Sequence, residues 1–354
     1  MSLVPNIPID LTPLLAKLSA RATDLDRTGR WPADDLVDLA AAGALQWAVA
    51  PEFGGTGLAP LDLHLRYEAI ASASLSTALI LTQRDSAALL VQHSPQWPLR
   101  HEFLTGLCRN EFFTTIGIAQ LTTSRQGNKP ALAARRSDGG WLIEGIVPWS
   151  TGPAYARYVI AGAACEDNRQ ILFCLQTDLP GLTIDPPMPL VALSSSWTAS
   201  LHCTDVFVPD AQVIRGPAMK VLGGPSKGLP LSQSFLALGL CRASLDFIGR
   251  HDSPRGRSTH DIFAAQLTDI RRRVIAACQS ADEPDAAAIA TLRGQCHDLA
   301  VRITHAGVAL YKGSALLLDN PAQRLARESM FLLVWSCPDP VVDCTVAELA
   351  DHAG

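Results

Sequence analysis

The chain reads as a multi-domain α+β protein, helical at both ends and strand-rich in the middle. Three observations carry that expectation. Apolar residues recur at helical spacing between about residues 10 and 115, side chains alternate with a period of two from about Phe113, and the three-and-four step returns in the last third. With 354 residues, 48% of them apolar and 18% charged, the chain has room for two or three domains with sizeable cores. The expected boundaries are a helical domain over 1–115, a β domain over 116–225 and a helical domain over 226–354.

The elements justify themselves in order. After Trp31-Pro32 and the capping candidates Asp34 and Asp35, residues Leu36, Leu39 and Gly43 fall on one helical face. A second helix is expected from Leu61 to Gln83, started by Pro60 and carrying Leu65, Glu68, Ile70, Ala71, Leu75 and Leu79. Between them Ala50-Pro51-Glu52-Phe53-Gly54-Gly55-Thr56-Gly57 forms a loop whose glycines permit positive φ and close backbone approach. In the middle, Trp141, Ile143, Gly145 and Val147 alternate with Leu142, Glu144 and Ile146 behind the turn Asp138-Gly139-Gly140. Further strands are expected over Tyr158–Ala163, Ile171–Leu175 and Ala199–Val208, the last closed by Pro209, and a small barrel or sandwich fits the span. Gly223-Gly224-Pro225-Ser226-Lys227-Gly228 reads as a linker back into helix. Leu238, Cys241, Leu245 and Ile248 then make one stripe, and Ile289, Leu292, Cys296, Leu299, Ile303, Ala306 and Leu310 make a bundle seam. His251-Asp252-Ser253-Pro254-Arg255-Gly256-Arg257-Ser258 separates the two, since Pro and Gly break a continuous helix.

Composition removes several function classes. The net charge is −5 with both signs interspersed, so the basic stripe that neutralises nucleic-acid phosphates is missing. There is no run of about 18 apolar residues, and Met1 to Pro8 lack a basic flank followed by an apolar core. The expectation is a cytoplasmic protein without a nucleic-acid or membrane partner. Nine cysteines, scattered singly, imply neither a disulfide framework nor a structural metal site and read mostly as small buried hydrophobes.

The order helices, strands, helices, taken with particular motifs, resembles the acyl-CoA dehydrogenase superfamily. Trp31-Pro32 with Leu36, Leu39 and Gly43 resembles its aromatic-Pro helix entry, and Pro51…Gly54-Gly55…Gly57 its Pro…Gly-Gly-x-Gly loop. Ala119-Gln120-Leu121-Thr122-Thr123-Ser124 resembles the flavin loop usually read Leu-Thr-Glu-Pro, followed by about three residues fewer than usual. Val147-Pro148-Trp149-Ser150-Thr151-Gly152 resembles the Trp-Ile-Thr-Asn-Gly strand end, and Asp205-Val206-Phe207-Val208-Pro209 the closing strand. The resemblance spans nearly the whole chain. It implies an N-terminal helical domain, a middle β-barrel that contacts flavin, a shortened C-terminal four-helix bundle, and FAD as cofactor.

A flavin ring needs hydrogen bonds at its pyrimidine edge and N5, and an aromatic or apolar wall. By resemblance Thr122, flanked by Gln120 and Thr123, would contact the pyrimidine edge, Thr151 would approach N5 beside Ser150, and Trp149 would flank the ring. A core role for Trp149 and ordinary strand and turn roles for the threonines are the competing reading. For the pyrophosphate, Arg255 and Gln266 match the family's first Arg and Gln in spacing. Ser258 and Thr259 replace its aromatic-Gly pair, Ala309 replaces its second Gln, and Gly313 keeps one glycine of the later pair beside Lys312.

In Arg327-Glu328-Ser329-Met330-Phe331-Leu332-Leu333-Val334-Trp335-Ser336-Cys337-Pro338, counting from Pro321 and Arg327 puts Ser336 where the family carries the glutamate that removes the substrate α-proton. The alternative family position, near Leu229 and Pro230, also lacks an acid, and Asp339 lies between two prolines. Three readings follow: an FAD-dependent oxidoreductase acting on a CH–CH group of an acyl thioester, with its base unidentified; a flavin-dependent monooxygenase of this fold, with Ser336, Arg84 and His93 as candidates; or a flavin-less binding or assembly relative. The resemblance further implies a homodimer or a tetramer built from dimers, and an electron acceptor or flavin reductase as partner.

Overall fold

The computed structural model describes residues 10–122, 130–222, 231–280 and 285–351. The expected linker over 223–228, the positions near Leu229 and Pro230, Thr123, and the side chain of Thr122 lie outside the described residues.

Five helices come first: α1 (Thr12–Thr28), α2 (Ala33–Ala41), α3 (Pro60–Ala73), α4 (Leu75–Gln92) and α5 (Arg100–Cys108). The single helix expected over Leu61–Gln83 is two. Ser74 breaks it with an extended backbone (φ −153°, ψ 109°), and its hydroxyl caps α4 by accepting from the Thr77 amide at 3.3 Å, the local competition with helix that serine is prone to. Asp35 is no cap either. It is fully buried and accepts from Arg21 Nε at 2.5 Å and Thr77 Oγ1 at 2.6 Å, tying α2 to α1 and α4. The glycine loop behaves as its spacing predicts: Gly54 and Gly57 have φ of +89° and +61°, and a Cβ on Gly55 would stand 1.9 Å from the Val49 carbonyl oxygen.

The middle of the chain holds β1 (Thr114–Gly117), the short helix α6 (Ala119–Thr122), β2 (Leu132–Ser137), β3 (Gly140–Ser150), β4 (Tyr158–Cys165), β5 (Gln170–Gln176), β6 (Leu182–Ile184), β7 (Ala199–Pro209) and β8 (Val213–Ala218). They form one mixed eight-stranded sheet in the order β6-β7-β3-β2-β4-β5-β8. β1 pairs in parallel with the start of β4 (Thr114 opposite Tyr158), and β2 takes over at its end (Ala134 opposite Cys165). Among the described residues this path is open between β6 and β8, so the expected barrel or sandwich resolves as a mixed sheet. The alternation on β3 holds: Trp141, Ile143 and Val147 enter the core that β4, β5 and β7 share, while Glu144 faces water.

The chain returns to helix with α7 (Ser232–Gly249), α8 (Pro254–Gln279), α9 (Ala286–Tyr311), α10 (Pro321–Val334) and α11 (Asp339–Asp351). The break between the two stripes falls just before Pro254 and is narrower than expected, since Gly256 lies buried inside α8. Pro254 occupies the first turn of α8, and Ser253 Oγ caps that helix by accepting from the Gly256 amide at 2.9 Å. α7 packs on α3, α8, α9 and α10, and α9 also carries α11. Ile289, Leu292, Cys296, Leu299, Ile303 and Leu310 are all buried in a core continuous with the N-terminal helices. An inter-element ion pair locks that junction: Glu68 of α3, 3% exposed, accepts from Arg271 Nε of α8 at 2.7 and 3.0 Å. Six of the nine cysteines are buried.

Candidate functional site

Two groups of the sequence-selected residues are assembled by different parts of the fold. The first is on the sheet. Ser150 Oγ, at the end of β3, donates to the Ile116 carbonyl of β1 at 3.0 Å, so the Ser150 side chain ties together two strands that do not pair in the sheet. Gln120 bridges further, its Nε2 donating to the carbonyls of Gly117 (2.8 Å) and Gly162 (2.7 Å). That amide fixes α6 against β1 and β4, and leaves Gln120 Oε1 buried without a hydrogen-bond partner among the described residues. A buried acceptor without a donor is costly and flags an unfilled role. At the end of β3, Trp149 is 49% exposed while Thr151 is 6% exposed. Trp149 is thus no core aromatic: the strand presents an indole face next to a threonine.

An aromatic cluster fixes this strand end. Gly152 turns at φ +60° against Trp31, where a Cβ would stand 2.5 Å from the indole. Trp31 stacks on Tyr155 with centroids 4.3 Å apart, Tyr155 meets Trp197 edge-on at 5.0 Å, and Trp197 Nε1 donates to the Gly29 carbonyl at 2.8 Å. The Trp31-Pro32 motif therefore does more than start a helix. It anchors the α1–α2 connection on the sheet beside Thr151.

The second group surrounds Ser336, just past the end of α10. Ser336 is exposed and left-handed (φ +52°). Arg293 Nη2 of α9 donates to its carbonyl at 2.7 Å, and Gln233 Nε2 of α7 reaches its hydroxyl at 3.4 Å. Three helices thus converge on the turn where the resemblance puts the general base, and the charged side chain that they bring is a cation. Beside it burial holds the His297 imidazole down at about 4, with the Arg293 charge adding to the effect, so His297 is neutral at pH 7. Sequence reading missed Arg293 and Gln233. The available signal was an arginine inside the apolar seam between Leu292 and Cys296.

Other candidates take different places. Arg84 is 1% exposed and bonded to Asp85 (2.8 Å) and the Leu107 carbonyl (3.0 Å), with Tyr67 donating to the same aspartate at 2.7 Å. It is a core ion pair, inaccessible to a substrate. His93 is exposed at the end of α4 and offers its carbonyl to Arg215 Nη2 at 2.8 Å. Arg255 lies exposed in the first turn of α8, and Gln266 on the same helix accepts from Arg302 at 2.7 Å. A helix rises about 1.5 Å per residue, so Arg255 and Gln266 stand about 16 Å apart and cannot share one phosphate. A Cβ on Gly313 would meet nothing within 4 Å. Asp339 is exposed at the start of α11.

Residues 14–111 match the family model "Acyl-CoA dehydrogenase, N-terminal domain". Among curated proteins, the chain is 24% identical over 350 residues to a probable acyl-CoA dehydrogenase, YngJ, of Bacillus subtilis, covering 89% of each. Among solved structures, butyryl-CoA dehydrogenase from Megasphaera elsdenii superposes with a TM-score of 0.80 at 18% identity, covering 99% of both chains. The methanesulfinate monooxygenase MsuC from Pseudomonas fluorescens superposes with a TM-score of 0.75 at 14% identity, covering 96% of this chain and 95% of that one. The fold is therefore common to a dehydrogenase and a monooxygenase, and sequence likeness over most of the length falls on the dehydrogenases. With helices flanking a central mixed sheet, the chain has the fold of the acyl-CoA dehydrogenases, and residues 14–111 match their N-terminal domain model.

Proposed function

We propose that the protein is a flavin-dependent oxidoreductase, with FAD as its cofactor and the C-terminal helices as the family's bundle. The observation that carries the flavin is the combination of α6 with the end of β3. Gln120 offers a buried acceptor with no donor among the described residues, suited to the N–H of a flavin pyrimidine edge, and Trp149 offers an uncovered aromatic wall beside Thr151. When bound, the flavin would supply a two-electron acceptor. The chain's own residues orient it: Gln120 and Thr151 by hydrogen bonds, Trp149 by stacking, with Thr122 and Thr123 on the same loop. Arg255, Gln266 and Gly313 are proposed for the dinucleotide side, spread along its length. The division at 115 and 225 follows the same reading, and the family's use of a neighbouring subunit for the cofactor favours a homodimer or tetramer.

The sequence relatives favour oxidation of a CH–CH group of an acyl thioester, with electrons passed to a protein acceptor. The Ser336 turn favours a second reading, an oxygen-using reaction like that of the structural relative named as a monooxygenase, which would draw on a flavin reductase. A neutral hydroxyl over a buried guanidinium cannot take up a weakly acidic α-proton. The test is purification followed by spectroscopy. A flavin absorbance band, bleached by an acyl-CoA under anaerobic conditions, supports dehydrogenation. A band that acyl-CoA leaves unchanged, in a protein that consumes oxygen once its flavin is reduced, supports the second reading. A colourless protein that takes up no added FAD refutes both and leaves a binding or assembly module.

A further inference from the structure

Among the described residues, Arg293 is a buried cation without a carboxylate partner. It is 1% exposed, its Nε is buried with no partner, and it forms no ion pair among the described residues. Outside the described residues the acids are Asp282 and Glu283, which precede α9 and stand more than two helical turns before Arg293 in the sequence. A charge held this way is expensive unless something that binds there offsets it.

Two donors meet at the turn, and the acid nearest in sequence, Asp339, lies exposed three residues on. Arg293 reaches the Ser336 carbonyl, Gln233 Nε2 reaches the Ser336 hydroxyl, and that hydroxyl is exposed. The first turn of α7, which supplies Gln233, has no side-chain cap and no acidic residue. The start of an eighteen-residue helix therefore adds its positive end to the same spot.

We propose that the Ser336 turn is an oxyanion subsite, where a carboxylate or sulfonate-type group on the substrate docks against the Ser336 hydroxyl and the Gln233 amide with the Arg293 charge behind them. The inference deepens the function proposed above, since it takes this turn as part of the reaction pocket and assigns the substrate a negative charge there. Where the family's glutamate would repel an anion, this chain attracts one.

The experiment uses Trp335, which adjoins Ser336 and stacks on Phe331 with centroids 5.2 Å apart. Sodium acetate and sodium methanesulfonate are titrated into the full-length protein at constant ionic strength set with chloride, following tryptophan fluorescence. A saturable change is expected that Trp335→Phe abolishes, that Arg293→Gln weakens at least about tenfold, and that Arg293→Lys largely keeps. Tighter acetate binding identifies a carboxylate substrate, and tighter methanesulfonate binding a sulfur oxyanion. Ser336→Ala, on an exposed turn where folding is not at stake, is expected to weaken binding severalfold. The proposal is overturned if the wild type gives no saturable response beyond chloride, if the response survives Trp335→Phe, or if Arg293→Gln and Ser336→Ala bind as the wild type does. None of these readouts involves flavin, so failure of the flavin reading and failure of this one are separable.

Discussion

The Glu68–Arg271 pair gives the sharpest test of how the N-terminal helices meet the C-terminal ones. Both Glu68 oxygens accept from Arg271 Nε, the carboxylate is 4% and the guanidinium side chain 14% exposed, and Arg242 approaches within 3.9 Å. Glu68→Gln keeps the shape and deletes the charge. Stripping a buried cation of its carboxylate costs roughly 3–5 kcal/mol, and partial exposure of Arg271 brings the expectation to about 2–4 kcal/mol. In a unit of some 150–250 residues that is a fall in Tm on the order of 5–12 °C. The assay is a thermal or urea melt followed by circular dichroism, with the double variant Glu68→Leu/Arg271→Met alongside. The double variant should lie within about 1 kcal/mol of the wild type, because a packed apolar pair costs no desolvation. A loss below about 0.5 kcal/mol in Glu68→Gln, the worth of a surface pair, would refute the buried docking of α3 on α8.

Three further outcomes are expected. Trp149→Ala should lower the flavin-to-protein ratio of the purified protein severalfold while changing apoprotein stability by less than about 0.5 kcal/mol, since the indole is half exposed; undiminished flavin content would remove Trp149 from the cofactor wall. Ser336→Glu should introduce or increase anaerobic bleaching by acyl-CoA, and no change in a variant that still binds flavin would show that the turn does not mark the position of a base. Stability should fall as pH drops from about 6.5 towards 4: His64 and His297 are both held at about 4 by burial, so in that window the unfolded chain binds protons that the folded one refuses. Each contributes on the order of 3 kcal/mol at the acid end. His297→Asn should flatten the slope in a pH series of urea melts, and an unchanged slope would mean that His297 titrates normally.

Much of the fold was legible because it rests on local rules. Pro60, Pro254 and the glycines of the Pro51–Gly57 loop act through their own φ restrictions or freedom, and the alternation of Trp141 to Val147 is a property of any half-buried strand. The split at Ser74 was not legible, since the apolar pattern continues across it and only the side-chain cap breaks the helix. The last strand, Val213–Ala218, was missed because Arg215, Gly216 and Pro217 disguise it, and its stability comes from pairing with Gln170–Gln176.

For the site, the sequence by itself determined the residue types and their order: Gln120, Trp149, Thr151, and a serine where the resemblance expects an acid. Those are chain-local facts, and folding does not alter them. Only the tertiary structure decided their standing. Burial left Gln120 with an unfilled acceptor, strand position left Trp149 uncovered, and Arg84 was withdrawn into a core ion pair. The convergence of Gln233, Arg293 and Ser336 joins residues up to 103 positions apart. Spacing along a chain cannot reveal such a meeting, because it depends on which helix faces pack together and how much water they exclude.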